Sequence, residues 1–355
     1  MPWRRLGLLV TIISLLAVST ALAISPPSFH LDSCAYHATE IVVAAQEPGS
    51  EGKLVVLESW KGSLTRGTRF TLPDFPPAPM EAWDIRFYTA HQHVTITGTR
   101  IVLFLKPAAN KSAGQWVGVN DELSRNGPLP LSIVWIEAGE AYTYRDSSVG
   151  GGYFESTLTE AQLKKIVQEV LAAKEELRKA LAVEDLTERA RILARLVRPQ
   201  QHDWALWALA GDAFEALVQC GKSDMSVLRD MLFDERVDQR SLVRAIVLAT
   251  GTDADVGTEL TAIIEKELPY WQKIGPTLKP GWGEDKSIPQ RGEYRCHWEA
   301  LGESLGWLQG LNYAPAHDLV RQTRALWSTI PPIGDSGRDN EIIRACDRIL
   351  DPKAP

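Results

Sequence analysis

The apolar residues of this chain change their period near residue 150, and that change divides what its two halves can fold into. Before that point they fall in short runs punctuated by glycine; after it they recur at helical spacing. A single layer of one kind of secondary structure cannot satisfy both patterns. The fold class expected is therefore α+β: an N-terminal all-β unit over residues 30–148, followed by an all-α unit over residues 157–350.

In the first half the most strand-like run is Lys53-Leu-Val-Val-Leu-Glu-Ser-Trp60, which leads into a Lys61-Gly62 turn. A second run, Arg100-Ile-Val-Leu-Phe-Leu-Lys106, is equally apolar. Further strands are expected at Glu40–Gln46, Thr68–Leu72, Val94–Thr97, Gln115–Asn120, Ser132–Glu137 and Glu140–Arg145. Gly49, Gly62, Gly67, Gly98, Gly114, Gly127 and Gly139 fall between these runs. Short strands at regular spacing read as a closed or half-closed barrel. Pro73-Asp-Phe-Pro-Pro-Ala-Pro79 cannot join a ladder and reads as a loop. Gly150-Gly151-Gly152 reads as the hinge between the halves.

The order Cys34…Ala38-Thr39-Glu40-Ile-Val-Val-Ala, then Leu54-Val-Val-Leu-Glu-Ser-Trp60-Lys61-Gly62, then Arg100-Ile-Val-Leu-Phe-Leu105 resembles the tissue-inhibitor-of-metalloproteinase/netrin-like module. The resemblance covers roughly residues 33 to 145 and implies an OB-fold barrel. Inhibitors of that family chelate a protease zinc through an N-terminal Cys amine, in a terminus clamped by disulfides. Cys34 has no second Cys near it, so the resemblance implies the fold rather than that mechanism.

In the second half, Thr159-Glu-Ala-Gln162 and Asp185-Leu-Thr-Glu188 have the spacing of capping boxes. After the first box, Leu163, Ile166, Val167, Val170, Leu171, Leu177 and Leu181 form one apolar face. Further helices are expected at Thr187–Val197, Asp203–Cys220, Asp224–Asp234, Asp238–Thr250, Asp255–Trp271, Glu293–Leu311, Pro315–Ser328 and Arg338–Leu350. The stretches Phe214–Gly221, Ser226–Leu232, Asp238–Ala249, Trp298–Gly306 and Asp318–Leu326 resemble HEAT-like repeats, whose units run to about 40 residues. Pro269 to Gly292 reads as a Pro/Gly-rich insertion that carries Trp271 and Trp282.

The N-terminus reads as a targeting segment. Arg4 and Arg5 precede an apolar run from Leu6 to Val18, and Ala21-Leu22-Ala23 is a small-x-small cleavage site. Residues 1–23 are thus expected to be a signal peptide, and the protein periplasmic or extracellular. The formal net charge is −7, and loss of the two leader arginines makes it more negative. A general nucleic-acid binder would carry a basic surface instead, so no nucleic-acid partner is expected. Membrane contact is expected only through an uncleaved leader. Export permits disulfides, and Cys296–Cys346 or Cys220–Cys296 could pair.

Candidate chemistry is sparse. His30, Cys34 and His37 form an H-x3-C-x2-H cluster, and His91 and His93 could complete a metal site with them. Cys296-His297-x-Glu299 matches no zinc-protease pattern. A G-x-S-x-G elbow, a Walker loop and a dinucleotide fingerprint are absent, and no cofactor is expected. Trp60, Phe75, Trp83, Trp271 and Trp282 are the candidate binding residues. The function expected is an exported, non-enzymatic protein-binding or scaffold protein of the bacterial cell envelope, with another envelope or extracellular protein as partner. The alternatives are a metal-dependent hydrolase using the His/Cys cluster, or a protease-inhibitor-like module.

Overall fold

The structure, a computed structural model, describes residues 29–47, 53–72, 86–89, 92–94, 100–108, 116–120, 132–145, 153–197, 207–333 and 341–351. It forms two compact units, Met1–Ala172 and Ala173–Pro355. The class is α+β, with the strands first and most of the helices after.

The first unit opens with a short helix, α1 (Leu31–His37), followed by β1 (Glu40–Gln46), β2 (Lys53–Lys61) and β3 (Arg69–Thr71). Then come β4 (Arg86–Thr89), β5 (Gln92–Val94), β6 (Arg100–Pro107) and β7 (Trp116–Gly118). β8 (Ile133–Glu137), β9 (Glu140–Arg145) and β10 (Tyr153–Thr159) complete the sheet. Its order is β3-β2-β1-β6-β8-β9-β10-β4-β5, with β7 on β6. All pairs are antiparallel except β10 with β4.

Among the described residues this ladder is open, ending at β3 and β5, where a closed or half-closed barrel was expected. The cause is β10. It pairs with β9 on one side and with β4 on the other, and so carries the β4–β5 hairpin to the far end of the sheet. The sequence around β10, Tyr-Phe-Glu-Ser-Thr-Leu-Thr, alternates too weakly to announce a strand. The proposed hinge glycines lie outside the described residues.

β1 and β6 are buried on both faces. Val42, Ala44, Ile101, Leu103 and Leu105 pack with Leu54, Val56, Ile133, Trp135, Tyr142 and Phe154. On the other face Phe29 meets Phe104 edge-on at 5.9 Å, and α1 packs against β6. Both-face burial explains why these two strands read as continuous apolar runs.

The turn after β2 is built on a buried carboxylate. Glu40 Oε1 accepts from Ser63 N at 2.9 Å and Ser63 Oγ at 3.0 Å, and Oε2 accepts from Leu64 N at 2.9 Å. Gly62 has φ +100°, and a Cβ there would fall onto that carboxylate.

Helix α2 (Glu160–Leu181) begins in the first unit, and the boundary between the units falls within it. The expected capping box forms: Thr159 N donates to Gln162 Oε1 at 2.8 Å, and Gln162 N to Thr159 Oγ1 at 3.2 Å. In the second unit follow α3 (Leu186–Val197), α4 (Trp207–Ser223), α5 (Met225–Arg229) and α6 (Gln239–Ala249). Then come α7 (Asp253–Ile274), α8 (Arg291–Leu311), α9 (His317–Trp327) and α10 (Glu341–Leu350). Alternate helices lie side by side: α4 on α6, α6 on α8, and α8 on α10, with α7 packed on α8 and α9 on α10.

The expected insertion is shorter than its sequence suggests. α7 runs through Pro269 to Ile274, and a 3-10 turn covers Gly275–Thr277. The remainder is pinned to the chain before α10, with Gly281 N donating to Pro332 O at 3.1 Å and Gly283 N to Ile333 O at 3.0 Å. No disulfide joins the four cysteines, each of which is buried.

Gly62 and Gly67 both have positive φ, but only Gly62 lies over a side chain. Gly62→Ala is expected to cost about 2–4 kcal/mol, combining backbone strain with displacement of the Glu40 carboxylate. Gly67→Ala should cost about 1 kcal/mol from strain alone. Equilibrium urea unfolding checks the order; equal costs would remove the role given to Glu40.

Candidate functional site

The densest group of polar and aromatic side chains lies in the second unit, where α7 meets α8. Glu267 sits on α7 and is fully buried. Its Oε1 lies 2.9 Å from His297 Nδ1 on α8, and its Oε2 accepts from Trp271 Nε1 at 2.8 Å. One partner is local and the other comes from the next helix. Trp271 is one turn along α7 from Glu267, and the α7–α8 packing brings His297 across.

His297 is held between two rings. Tyr270 stacks on it with centroids 3.6 Å apart and planes at 12°, and Phe233 with centroids 4.4 Å apart and planes at 9°. Phe233 reaches that position from a backbone at φ +75°, in the left-handed region that non-glycine residues rarely occupy. Gln239, fully buried at the start of α6, holds the loop. Its Oε1 accepts from Phe233 N at 3.0 Å and its Nε2 donates to Asp234 O at 2.9 Å. The Tyr270 hydroxyl donates to Glu293 Oε1 at 3.1 Å.

Burial pushes the Glu267 carboxyl above its ordinary value of 4.5, against the opposing hydrogen bonds from His297 and Trp271. Burial and the nearby Glu293 also raise the Tyr270 hydroxyl. A carboxylate that orients an imidazole is also a catalytic arrangement. Here both faces of the imidazole are covered and Nδ1 is occupied, leaving the side chain only 13% exposed. The arrangement therefore acts as a clamp joining α7, α8 and the loop before α6.

The sequence-derived candidates fall in several places. Trp271 and Trp282 are core residues, 0% and 1% exposed. Their ring centroids are 5.7 Å apart, and Trp271 also meets Trp327 of α9 at 4.9 Å. Trp282 Nε1 donates to Pro331 O at 3.2 Å. These rings fasten the α7–α8 connection inward and present no binding face.

Trp60 is half-buried and is the extra residue of a bulge in β2, between Ser59 opposite Val42 and Lys61 opposite Ile41. Lys164 Nζ of α2 lies 5.7 Å from the Trp60 ring centre and pairs with Glu58. That contact holds the Glu58 carboxyl below its ordinary range, with Arg100 adding to it. Phe75, Trp83 and His91 lie outside the described residues. His93 is on β5, where only the backbone is described.

Of the metal candidates, His30 precedes α1 and His37 ends it, one at each end of the helix. Cys34, between them, is fully buried, and Asn120 Nδ2 lies 3.2 Å from its Sγ. Burial, with Asp32 adding to it, pushes the thiol up to about 12, so it is protonated at neutral pH. Among the described residues no three His, Cys, Asp or Glu side chains converge as a metal site would require.

Sequence reasoning noticed His297 but not its partner. The signal available was a glutamate on the apolar face of α7, since Ile263, Ile264, Glu267, Leu268 and Trp271 share that face. No family model, no curated protein and no solved structure matches the chain.

A raised carboxyl in the folded state means that the folded protein keeps a proton which the unfolded chain has released. The stability Glu267 contributes is then fully present below its ordinary value near 4.5 and is lost as pH rises through its folded value. Glu267→Gln removes this dependence, so the stability of the variant relative to the parent should improve from pH 4 to pH 8. His297→Ala should cost about 3–5 kcal/mol, because it leaves Glu267 Oε1 buried without its partner and opens a gap between Tyr270 and Phe233. Thermal unfolding across that pH range measures both effects.

Proposed function

We propose that this chain is an exported, non-enzymatic binding protein whose helical unit is its contact surface. The observation that carries the reading is the side-by-side packing of α4, α6, α8 and α10, with α7 and α9 against them. Helices stacked in this way create a surface that grows with each added pair, as repeat arrays do. The HEAT-like character of the repeats rests on this packing together with the sequence pattern. The netrin-like reading of the first unit rests on the order of β1, β2 and β6 and on the Lys61-Gly62 turn. Both are fold-level analogies for function.

The chemistry on view supports the same reading. The acid–base pair of the second unit is closed between rings, and the Cys34 thiol is sealed. The leader motif at residues 4–23 supports export. Among the described residues no helix is long and apolar enough to cross a membrane.

Two measurements test this reading. Mass spectrometry of the protein expressed with its leader in a bacterial host should find the mature chain starting at Ile24; an intact Met1 terminus would count against export. The full mature chain, immobilised and exposed to an envelope extract in the presence of a cross-linker, should retain one defined protein in near-stoichiometric amount. Turnover of ester, peptide or phosphate substrates by the purified chain, abolished in His297→Gln, would overturn the non-enzymatic reading.

A further inference from the structure

Helix α6 turns its buried side inward with Leu242, Val243, Ala245, Ile246 and Val247. Its exposed face, at four-residue spacing, is Arg240, Arg244 and Leu248. The Arg240 guanidinium carbon lies 5.6 Å from the Trp298 ring centre on α8, and that of Arg244 lies 5.4 Å from the Phe214 ring centre on α4. Neither arginine forms an ion pair among the described residues. By contrast Arg229, Arg236, Arg295, Arg321 and Arg324 of the same unit each hold a carboxylate.

A guanidinium over a ring is attracted to its face, and the contact restricts its rotamer freedom beforehand while leaving N–H donors for a further partner. Such a group is ready to receive a carboxylate through a bidentate pair. α6 lies between α4 and α8, so the two arginines lean toward opposite flanks of the helix. A ligand touching both must cross α6, and a single small anion does not. Leu248, 45% exposed, adds an apolar contact at the next turn.

We propose that the Arg240–Arg244 face of α6 seats an extended segment of a partner protein that carries at least two carboxylates. This rests on the binding reading above and supplies the chemistry of the partner. Charge complementarity selects the occupant, because the two guanidinium groups hold no carboxylate of their own among the described residues and match a pair of carboxylates. The half-buried Trp298 and Phe214 rings are platforms that hold the arginines in place.

Fluorescence anisotropy of the full mature chain with a fluorescein-labelled decapeptide of alternating glutamate and alanine tests the site. Saturable binding is expected. It should weaken at least about ten-fold in the Arg240→Gln/Arg244→Gln double variant. The Arg240→Lys/Arg244→Lys variant should recover only part of it, because lysine keeps the charge but lacks the fork. Arg321→Gln, which removes an arginine already paired with Asp318, should leave binding unchanged. The proposal is overturned if the peptide does not saturate, if the double glutamine variant binds as well as the parent, or if equimolar inorganic phosphate displaces the peptide.

A dimer in sedimentation that the double glutamine variant dissolves would make the occupant a second copy, and would also overturn it. A partner captured from the extract equally by parent and double variant removes this site while leaving the binding reading intact. Peptide binding that depends on the arginines, with no protein captured, does the reverse.

Discussion

A carboxylate can be buried in an apolar core only if both of its oxygens find donors, and Glu267 meets that condition with one donor from its own helix and one from the next. Much of the second unit follows from this. Trp271 must lie inward to reach Oε2, which places it at the centre of the ring cluster formed with Trp282 and Trp327. His297 must cross from α8 to reach Oε1, which fixes α8 against α7. Tyr270 and Phe233 then close on its faces, and Phe233 does so only because Gln239 holds its left-handed backbone. The first unit uses the same device at Glu40, which satisfies three donors of the turn after β2, and glycine at position 62 leaves the space.

The clamp also bears on function. An imidazole oriented by a carboxylate is one of the commonest pieces of catalytic machinery, and the pair alone would invite an enzymatic reading. Here two stacked rings cover the faces of the imidazole and Nδ1 is taken up by Glu267, so the pair ties α7 to α8 and to the loop before α6. The face of α6 turns outward and carries two arginines over rings, neither of which forms an ion pair among the described residues.

How much of this could be read in the sequence depends on what each element relies on. β1 and β6 were legible because burial on both faces leaves continuous apolar runs, and β2 because Leu54-Val-Val-Leu57 is apolar and β-branched ahead of the Lys61-Gly62 turn. The box at Thr159 and Gln162 was legible because capping is local. α1 was not: it has seven residues and no side-chain cap, so its His and Cys residues read as a metal cluster rather than as a helix turned onto β6. β10 was hidden because its partners, β9 and β4, are set by long-range pairing that no local pattern announces. The α7–α8 connection looked like an exposed insertion because Pro, Gly and Trp suggest a flap. Its tryptophans are core because their partners come from α9 and from the chain before α10. The Glu267–His297 pair spans thirty positions and leaves only a misplaced glutamate as its trace.

The central claim is that His297 is a structural clamp held through Nδ1. Nitrogen NMR of the mature chain, with its histidines labelled with nitrogen-15 and with His297→Gln used for assignment, tests it most directly. The account predicts that Nδ1 of His297 keeps its proton, with a hydrogen-bonded shift and slow exchange with solvent. A neutral ring protonated on Nε2, or an Nδ1 proton exchanging as fast as that of an exposed imidazole, would contradict it.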